Sequence, residues 1–194
     1  MLESRELPYP DPELSADGIR LRGWRDHDVD ALHQAFGDPT VQRFSWPSLE
    51  PYTRDDAQAF LRAQEASRRT GTELQFAVVL GKGDTPLGGV SLYGVELDQQ
   101  RAAIGYWLAP AARGRGAAST SVRLLAGWAF AQLGLARLEL TCAPDNVASQ
   151  RVAERCGYVR EGVLRSHLSF KGTRRDTVVH SLLAHEAEGV PAWA

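Results

Sequence analysis

The sequence predicts a mixed α/β (α+β) fold, a mostly antiparallel sheet of about seven strands flanked by four helices. Three observations predict it. Apolar residues recur with the strand period of about 2 and the helix period of about 3.6 in separate segments. Read in order, these give strand, two helices, three strands, helix, strand, helix, two strands. The three consecutive strands are joined by short links, which imposes an antiparallel meander. Finally, 194 residues with 43% hydrophobic and 24% charged content suit one domain that buries a core without disulfides or structural metal.

Each element has a local signature. Residues 1–16 read as an extended, acidic, proline-containing arm. Residues 19–24 alternate apolar and charged side chains, as a half-buried strand does. Residues 26–36 read as a helix with Asp26 or Asp28 near its start, and Asp38-Pro39 breaks it. Residues 45–51 form a loop with two prolines and an exposed Trp46. Thr53 caps the next helix, Asp55 and Asp56 sit where its dipole favours them, and the helix runs to Arg69 before Gly71 stops it. Strands follow at 74–80, 86–95 and 102–108, with a turn at 81–84. Helix 117–133 sets Val122, Leu125, Ala129 and Leu133 on one face, and Gly134 ends it. Residues 137–142 are a strand, and 146–156 a short helix closed by Gly157. Strands at 158–170 and 173–184 turn at Gly172. The domain therefore spans 17–188, with 189–194 a tail.

Composition narrows the function. No apolar run is long enough to cross a bilayer, and residues 1–17 lack the apolar core of a signal peptide. Cys142 and Cys156 match no zinc pattern and read as small buried apolar residues in a reduced, cytoplasmic setting. The five histidines form no ligand cluster, so no metal is expected. A net charge of −2 argues against polymeric nucleic acid as a partner. That mean hides a split. Residues 1–60 carry 6 Lys+Arg against 12 Asp+Glu, whereas residues 101–175 carry 12 against 4. The basic segment points to a local anion site.

Within it, Leu108-Ala-Pro-Ala-Ala-Arg-Gly-Arg-Gly-Ala-Ala-Ser joins a strand to the longest apolar helix. Gly114 and Gly116 let a ligand approach the backbone, and the helix start offers unpaired N–H groups and partial positive charge. Arg113 and Arg115 add fixed charge. A Walker loop is excluded because no Gly-Lys-Ser/Thr follows. A dinucleotide fingerprint fits Gly114 and Gly116 but meets Ser119 at its third position. A nicotinamide oxidoreductase is therefore the weaker alternative.

Arg113-Gly-Arg-Gly-Ala-Ala resembles the acyl-CoA loop, Q/R-x-x-G-x-G/A, of the GNAT superfamily of N-acyltransferases. Ile104-Gly-Tyr-Trp-Leu resembles that family's fourth strand. The stretch from Asp145-Asn-Val-Ala-Ser149 to Cys156-Gly-Tyr158, continued by Glu161-Gly-Val-Leu-Arg165, is similar to the RimJ/RimL-like branch. The resemblance implies a GNAT-like sheet whose fourth and fifth strands splay apart around a pantetheine arm. It implies acetyl transfer from acetyl-CoA, as co-substrate, to a primary amine, protein N-terminal or small-molecule, by direct attack in a ternary complex. A CoA-binding module without catalysis is the other alternative, and a homodimer is compatible with the exposed sheet edges.

Residue by residue, the resemblance places Trp107, Leu108 and Ala109 along the pantetheine arm, with a main-chain N–H near Leu108 for the oxyanion. The amides of Gly114, Arg115, Gly116, Ala117 and Ala118 hold the pyrophosphate. Asn146 bonds the arm or caps its helix. Arg151 and Arg155 reach the nucleotide phosphates or are solvated. Ser149 stands near the CoA sulfur as general acid. The RimL-like branch puts a glutamate base at a position occupied here by Leu168, so His167 and Glu139 become the candidate bases. Trp46, Phe44, Tyr52 and Tyr93 are candidate walls of the amine pocket, and the acidic first 60 residues would attract a cationic amine or serve only as solvated surface.

Overall fold

The computed structural model describes residues 6–187. The expectations for residues 1–5 of the arm and for the tail at 189–194 concern residues outside this range. A single eight-stranded sheet organises the chain, in the order β1-β2-β3-β4-β5-β6-β8-β7. Its strands are β1 (Leu14–Ala16), β2 (Ile19–Arg22), β3 (Glu73–Leu80), β4 (Pro86–Glu96), β5 (Arg101–Leu108), β6 (Arg137–Cys142), β7 (Val159–Phe170) and β8 (Thr173–Leu183). Every neighbouring pair is antiparallel except β5 with β6. That pattern is incompatible with the parallel sheet a dinucleotide fold requires.

The eighth strand corrects the reading of the arm. Asp17 and Gly18 both take positive φ, 51° and 73°. That is the turn an Asp-Gly pair favours between twisted strands. It folds Leu14–Ala16 back onto β2, pairing Leu14 with Leu21. Upstream, Leu7 is fully buried, and its N–H donates to the Arg68 carbonyl at 3.0 Å.

Helices cover both faces: α1 (Val29–Phe36), α2 (Pro39–Ser45), α3 (Arg54–Arg69), α4 (Ala117–Leu133), α5 (Val147–Arg155) and the short α6 (Ala184–Ala187). Two of them were not expected, α6 and α2. Asp38-Pro39 ends α1 as anticipated, but the same pair begins α2. The Asp38 carboxylate accepts from the N–H groups of Thr40 and Val41, each at 3.0 Å, and Pro39 occupies the first turn where no donor is needed. Thr53 starts α3 with a reciprocal box: its hydroxyl accepts from Asp56 N–H at 3.1 Å, and Asp56 accepts from Thr53 N–H at 2.8 Å.

Two cores result. On one face Phe76, Leu92, Ile104, Leu125 and Leu138 pack the sheet against α4 and α5. On the other, Trp24, Leu32, Phe36, Val41 and Leu61 pack α1–α3 over Ala77, with Trp107 at the edge. Trp46, expected to be exposed, is half-buried against Phe36 and Tyr52, and its indole N–H donates to the Glu50 carbonyl at 2.8 Å. A buried ion pair ties β2 to the start of α1. Arg22 donates two parallel bonds to Asp28, at 2.8 and 2.9 Å, with both side chains 1% exposed.

The functional geometry comes from the β5–β6 pair. Its ladder runs from Arg101 with Arg137 to Ile104 with Leu140 and then stops. Beyond it, β5 follows β4 to Leu108 opposite Gly88, and β6 follows β8 to Cys142 opposite Val178. The strands splay into a wedge at the centre of the sheet.

Candidate active site

Two cavities meet in that wedge. One, of about 360 Å³, lies against β4, β5 and β6 and is walled by Ser91, Tyr93, Gly105, Thr141 and Arg175 among others. The other, of about 510 Å³, runs from β5 along the start of α4 to α5. Phe44, Ser45, Tyr106, Trp107, Asn146 and Ser149 line both and define the junction.

The second cavity is built by the glycine–arginine loop. Gly114 and Gly116 adopt φ of 72° and 78°, and a Cβ on either would meet nothing within 4 Å, so the glycines answer a backbone demand and leave open space above them. Gly116 is the N-cap of α4 and supplies no side-chain acceptor, and no acidic residue occupies the first turn. The first amides of α4 are therefore unpaired and positive, at the edge of a cavity that Ala117, Ala118 and Ser119 line. Arg151 and Arg155 border the same cavity. Arg115 is exposed and outside the lining.

Arg113 has a different situation from the one expected. Its guanidinium is held by the Asp38 carboxylate and donates to the Leu108 carbonyl, from Nε at 3.1 Å and Nη2 at 2.9 Å. The charge is already matched, and the contact locks the start of α2 to the end of β5. It also holds the Asp38 carboxyl below its ordinary range, first by the Arg113 hydrogen bond.

Along β5 the side chains divide by parity. Trp107 stacks on Trp24, ring centroids 6.1 Å apart, and lies over Gly89, where a Cβ would come within 2.7 Å of its Nε1. Ala109 lines neither cavity and donates its N–H to the Leu87 carbonyl at 2.9 Å, towards β4. Strand amides alternate, so those of Leu108 and Tyr106 point the other way, into the wedge.

Ser149 is 7% exposed at the junction. Its N–H donates to Asn146 Oδ1 at 3.2 Å, so Asn146 caps α5 while also lining both cavities. The Tyr106 hydroxyl donates to Ser149 Oγ at 3.2 Å. Burial pushes the Tyr106 phenol up to about 12, so it remains protonated. With Tyr106 as its donor, the Ser149 hydroxyl is left to donate in turn, and the Cys142 sulfur lies within its reach. Tyr106 was not among the residues singled out from the sequence. Its signal was the alternation that sets it opposite Trp107 in Ile104-Gly-Tyr-Trp-Leu.

Neither candidate base reaches the junction. Glu139 lies beside Arg137 at 2.9 Å, in a cluster where Arg137 also holds Glu161 at 2.7 Å, and it lines no cavity. His167 is exposed on β7, bonded through Nδ1 to Thr177 Oγ1 at 3.1 Å, and also lines none. Leu168, at the base position of the RimL-like branch, is 44% exposed. Of the aromatic candidates, Phe44 and Tyr93 line the 360 Å³ cavity, while Trp46 and Tyr52 belong to the second core. Tyr93 is anchored to Thr141 Oγ1 at 3.3 Å. Cys142 also lines this cavity, and burial raises its thiol above the usual range. The only titratable groups on this wall among the described residues are thus Tyr93, Tyr106, Cys142 and Arg175, and it carries no carboxylate or imidazole.

Among the described residues no helix is long and apolar enough to cross a membrane, and no group of three His, Cys, Asp or Glu is placed to hold a metal. A family model described as acetyltransferase (GNAT) domain matches residues 19–159. The chain is 28% identical over 177 residues to an uncharacterized N-acetyltransferase, p20, of Bacillus licheniformis, covering 91% of this chain and 98% of that one. It is 30% identical over 154 residues to a ribosomal-protein-serine acetyltransferase of Escherichia coli, strain K12, covering 77% and 84%. In fold it is similar to Mycobacterium smegmatis RimJ, solved in complex with CoA-disulfide, with a TM-score of 0.80 at 24% identity over 90% of this chain and 86% of that one.

Proposed function

The chain belongs to the GNAT acetyltransferase family, and from that premise we propose that it moves acetyl from acetyl-CoA to an α-amine, the N-terminus of a protein or peptide, by direct attack. One observation carries the choice of amine: the 360 Å³ cavity, which takes the acceptor in this reading, is lined by no carboxylate and no imidazole among the described residues. Only a neutral amine attacks. An α-amine, with pKa of about 7.7–8.0, is substantially neutral near physiological pH and gives its proton to water. A lysine at about 10.4 is only about 0.1% neutral at pH of about 7.4 and needs a base that this wall lacks. A ribosomal-protein-serine acetyltransferase among the relatives supports a protein acceptor.

The residues divide the work. The unpaired amides of Ala117, Ala118 and Ser119, with Arg151 and Arg155, suit a pyrophosphate and its neighbouring phosphates. The wedge-facing main chain of β5 and the Asn146 amide suit the polar pantetheine arm. The Leu108 N–H receives the oxyanion as the amine nitrogen bonds to the thioester carbonyl carbon. The C–S bond then breaks, the Ser149 hydroxyl, itself hydrogen-bonded by Tyr106, gives its proton to the departing thiolate, and the surplus proton of the attacking nitrogen restores the hydroxyl through water. A thiol near ~8.5 leaves readily, so this donor assists without having to be a strong acid.

The test uses two peptides of one sequence containing a lysine, one with a free and one with an acetylated N-terminus, and reads CoA thiol release from acetyl-CoA. Turnover confined to the free N-terminus is expected. Equal turnover of the blocked peptide would overturn the α-amine assignment, and tight acetyl-CoA binding with no turnover on any amine would favour a binding module.

A further inference from the structure

We infer that the acceptor carries an anionic group, a carboxylate above all, close to its α-amine, and that Arg175 receives it. This rests on the acetyltransferase reading and specifies its substrate class.

Arg175 is half-buried on β8, with its guanidinium 4.4 Å from the Phe170 ring centroid and 5.6 Å from that of Phe44. Phe44 also lines the junction of the two cavities, so the stacked guanidinium sits at the acceptor side of the reacting centre. Two aromatic rings pack against it, and its N–H groups have no protein acceptor among the described residues. The contrast with other arginines is informative. Arg20, Arg22, Arg68, Arg113 and Arg137 are also half-buried or more, and each holds a carboxylate. Arg123 and Arg175 hold none among the described residues, and only Arg175 of these two lines a cavity. A fixed, partly desolvated guanidinium with unused donors is matched by a planar carboxylate, which accepts two parallel bonds.

The entrance carries the same sign. A third cavity shares Arg175 with the acceptor cavity and is bordered by Arg43, Lys171 and Asp145. Asp145 is paired with Arg43 at 2.5 Å, which leaves the mouth positive. The β7–β8 turn that brings Lys171 here is fixed, since the Lys171 N–H donates to the Pro47 carbonyl at 3.0 Å. A cationic acceptor such as a polyamine therefore meets like charge. For an α-amine with an adjacent carboxylate, pairing with Arg175 neutralises the carboxylate that would otherwise hold the amine protonated, and the positive mouth disfavours the ammonium form.

The experiment compares kcat/KM for tetrapeptide amides Ser-Glu-Ala-Ala, Ser-Gln-Ala-Ala and Ser-Lys-Ala-Ala, together with free serine and glutamate, in the wild type, R175Q and R175E. The wild type should favour the acidic peptide over the glutamine peptide by about 10-fold or more, the worth of one charge-assisted contact. R175Q should bring that ratio to about 1 and R175E should favour the lysine peptide, with KM for acetyl-CoA unchanged in both. Preference for the free amino acids would identify the α-carboxylate, rather than a side chain, as the anion. Equal or better turnover of the lysine peptide by the wild type would overturn the inference while the acetyltransferase reading stands. So would a raised KM for acetyl-CoA in R175Q with the peptide ratio intact, because Arg175 would then serve the donor. Loss of turnover on every α-amine despite acetyl-CoA binding would remove both.

Discussion

At the scale of single residues, the proposed chemistry rests on the hydrogen-bonded pair at the junction. Ser149 was legible in the sequence through its motif, but its partner was not, because a Tyr106–Ser149 contact joins residues 43 apart in the chain. Ser149→Ala removes the donor to the thiolate and should lower kcat about 10-fold, with acetyl-CoA affinity little changed, since the leaving group needs only modest help. Steady-state kinetics with varied acetyl-CoA reads the split, and a fall in affinity alone would make Ser149 a binding residue. Asn146 is the helix cap that its residue type suits, its oxygen accepting at the start of α5, and it lines both cavities as well. Arg113 shows the opposite. A loop arginine beside glycines suggests phosphate, and only the tertiary contact reveals that Asp38 already holds it.

His180 is a residue-scale feature of stability. It is fully buried, and burial, aided by Arg160 and opposed by Glu154 and by a hydrogen bond to the Leu140 backbone, lowers it from 6.5. The unfolded chain binds this proton more readily than the folded one. Stability is therefore complete above 6.5 and falls as pH drops through it, with a slope of up to about 1.4 kcal/mol per pH unit. Glu65 and Glu161, lowered by their arginines to about 2, lose their share of stability only as pH falls from 4.5 towards 2, well below this window. Urea midpoints should fall between pH of about 7.5 and about 5.5 in the wild type and hold steady in His180→Leu. Parallel declines in both would place the titrating group elsewhere.

At the scale of elements, local signals were read well where they are strong. The Thr53 box, the glycine stop of α4 and the meander were all visible. Two signals were present and under-read: Asp17-Gly18, a hairpin turn, and Asp38-Pro39, a helix start as much as a helix end. The close approach of β4 to β5 was invisible, since it depends on pairing register. A Cβ on Gly88 would come within 2.7 Å of the Trp107 carbonyl oxygen. The start of α4 gives the sharpest element-scale prediction. Gly116→Ala strains a left-handed residue and should cost about 1 kcal/mol of stability with acetyl-CoA still bound. Gly116→Asp adds a carboxylate at the unpaired amides and should abolish binding. Calorimetric titration of both variants separates strain from charge, and equal affinities would refute the anion assignment.

At the scale of the whole molecule, the charge division seen in the sequence is real but its meaning changes. Five acidic residues of the first 60 are bound within the protein. Glu6, Glu13, Asp28, Asp30 and Asp38 are engaged with Arg68, Arg20, Arg22, Arg54 and Arg113, so much of this charge is framework. The basic stretch serves both ends of the wedge, with Arg151 and Arg155 beside one cavity and Lys171 and Arg175 beside the acceptor side. Element order and the anion loop were legible because they are local. That Glu139 and His167 line neither cavity was not, because it depends on how β6 and β7 are set in space. The central claim is a site that relies on the acceptor's own basicity. It is tested most directly by the pH dependence of kcat/KM for a series of peptides whose α-amine pKa values differ. A base-free site requires the inflection to move with each acceptor's amine, from about 7 to about 8 across such a series, whereas an inflection fixed at one pH for every acceptor would reveal an enzyme base and contradict it.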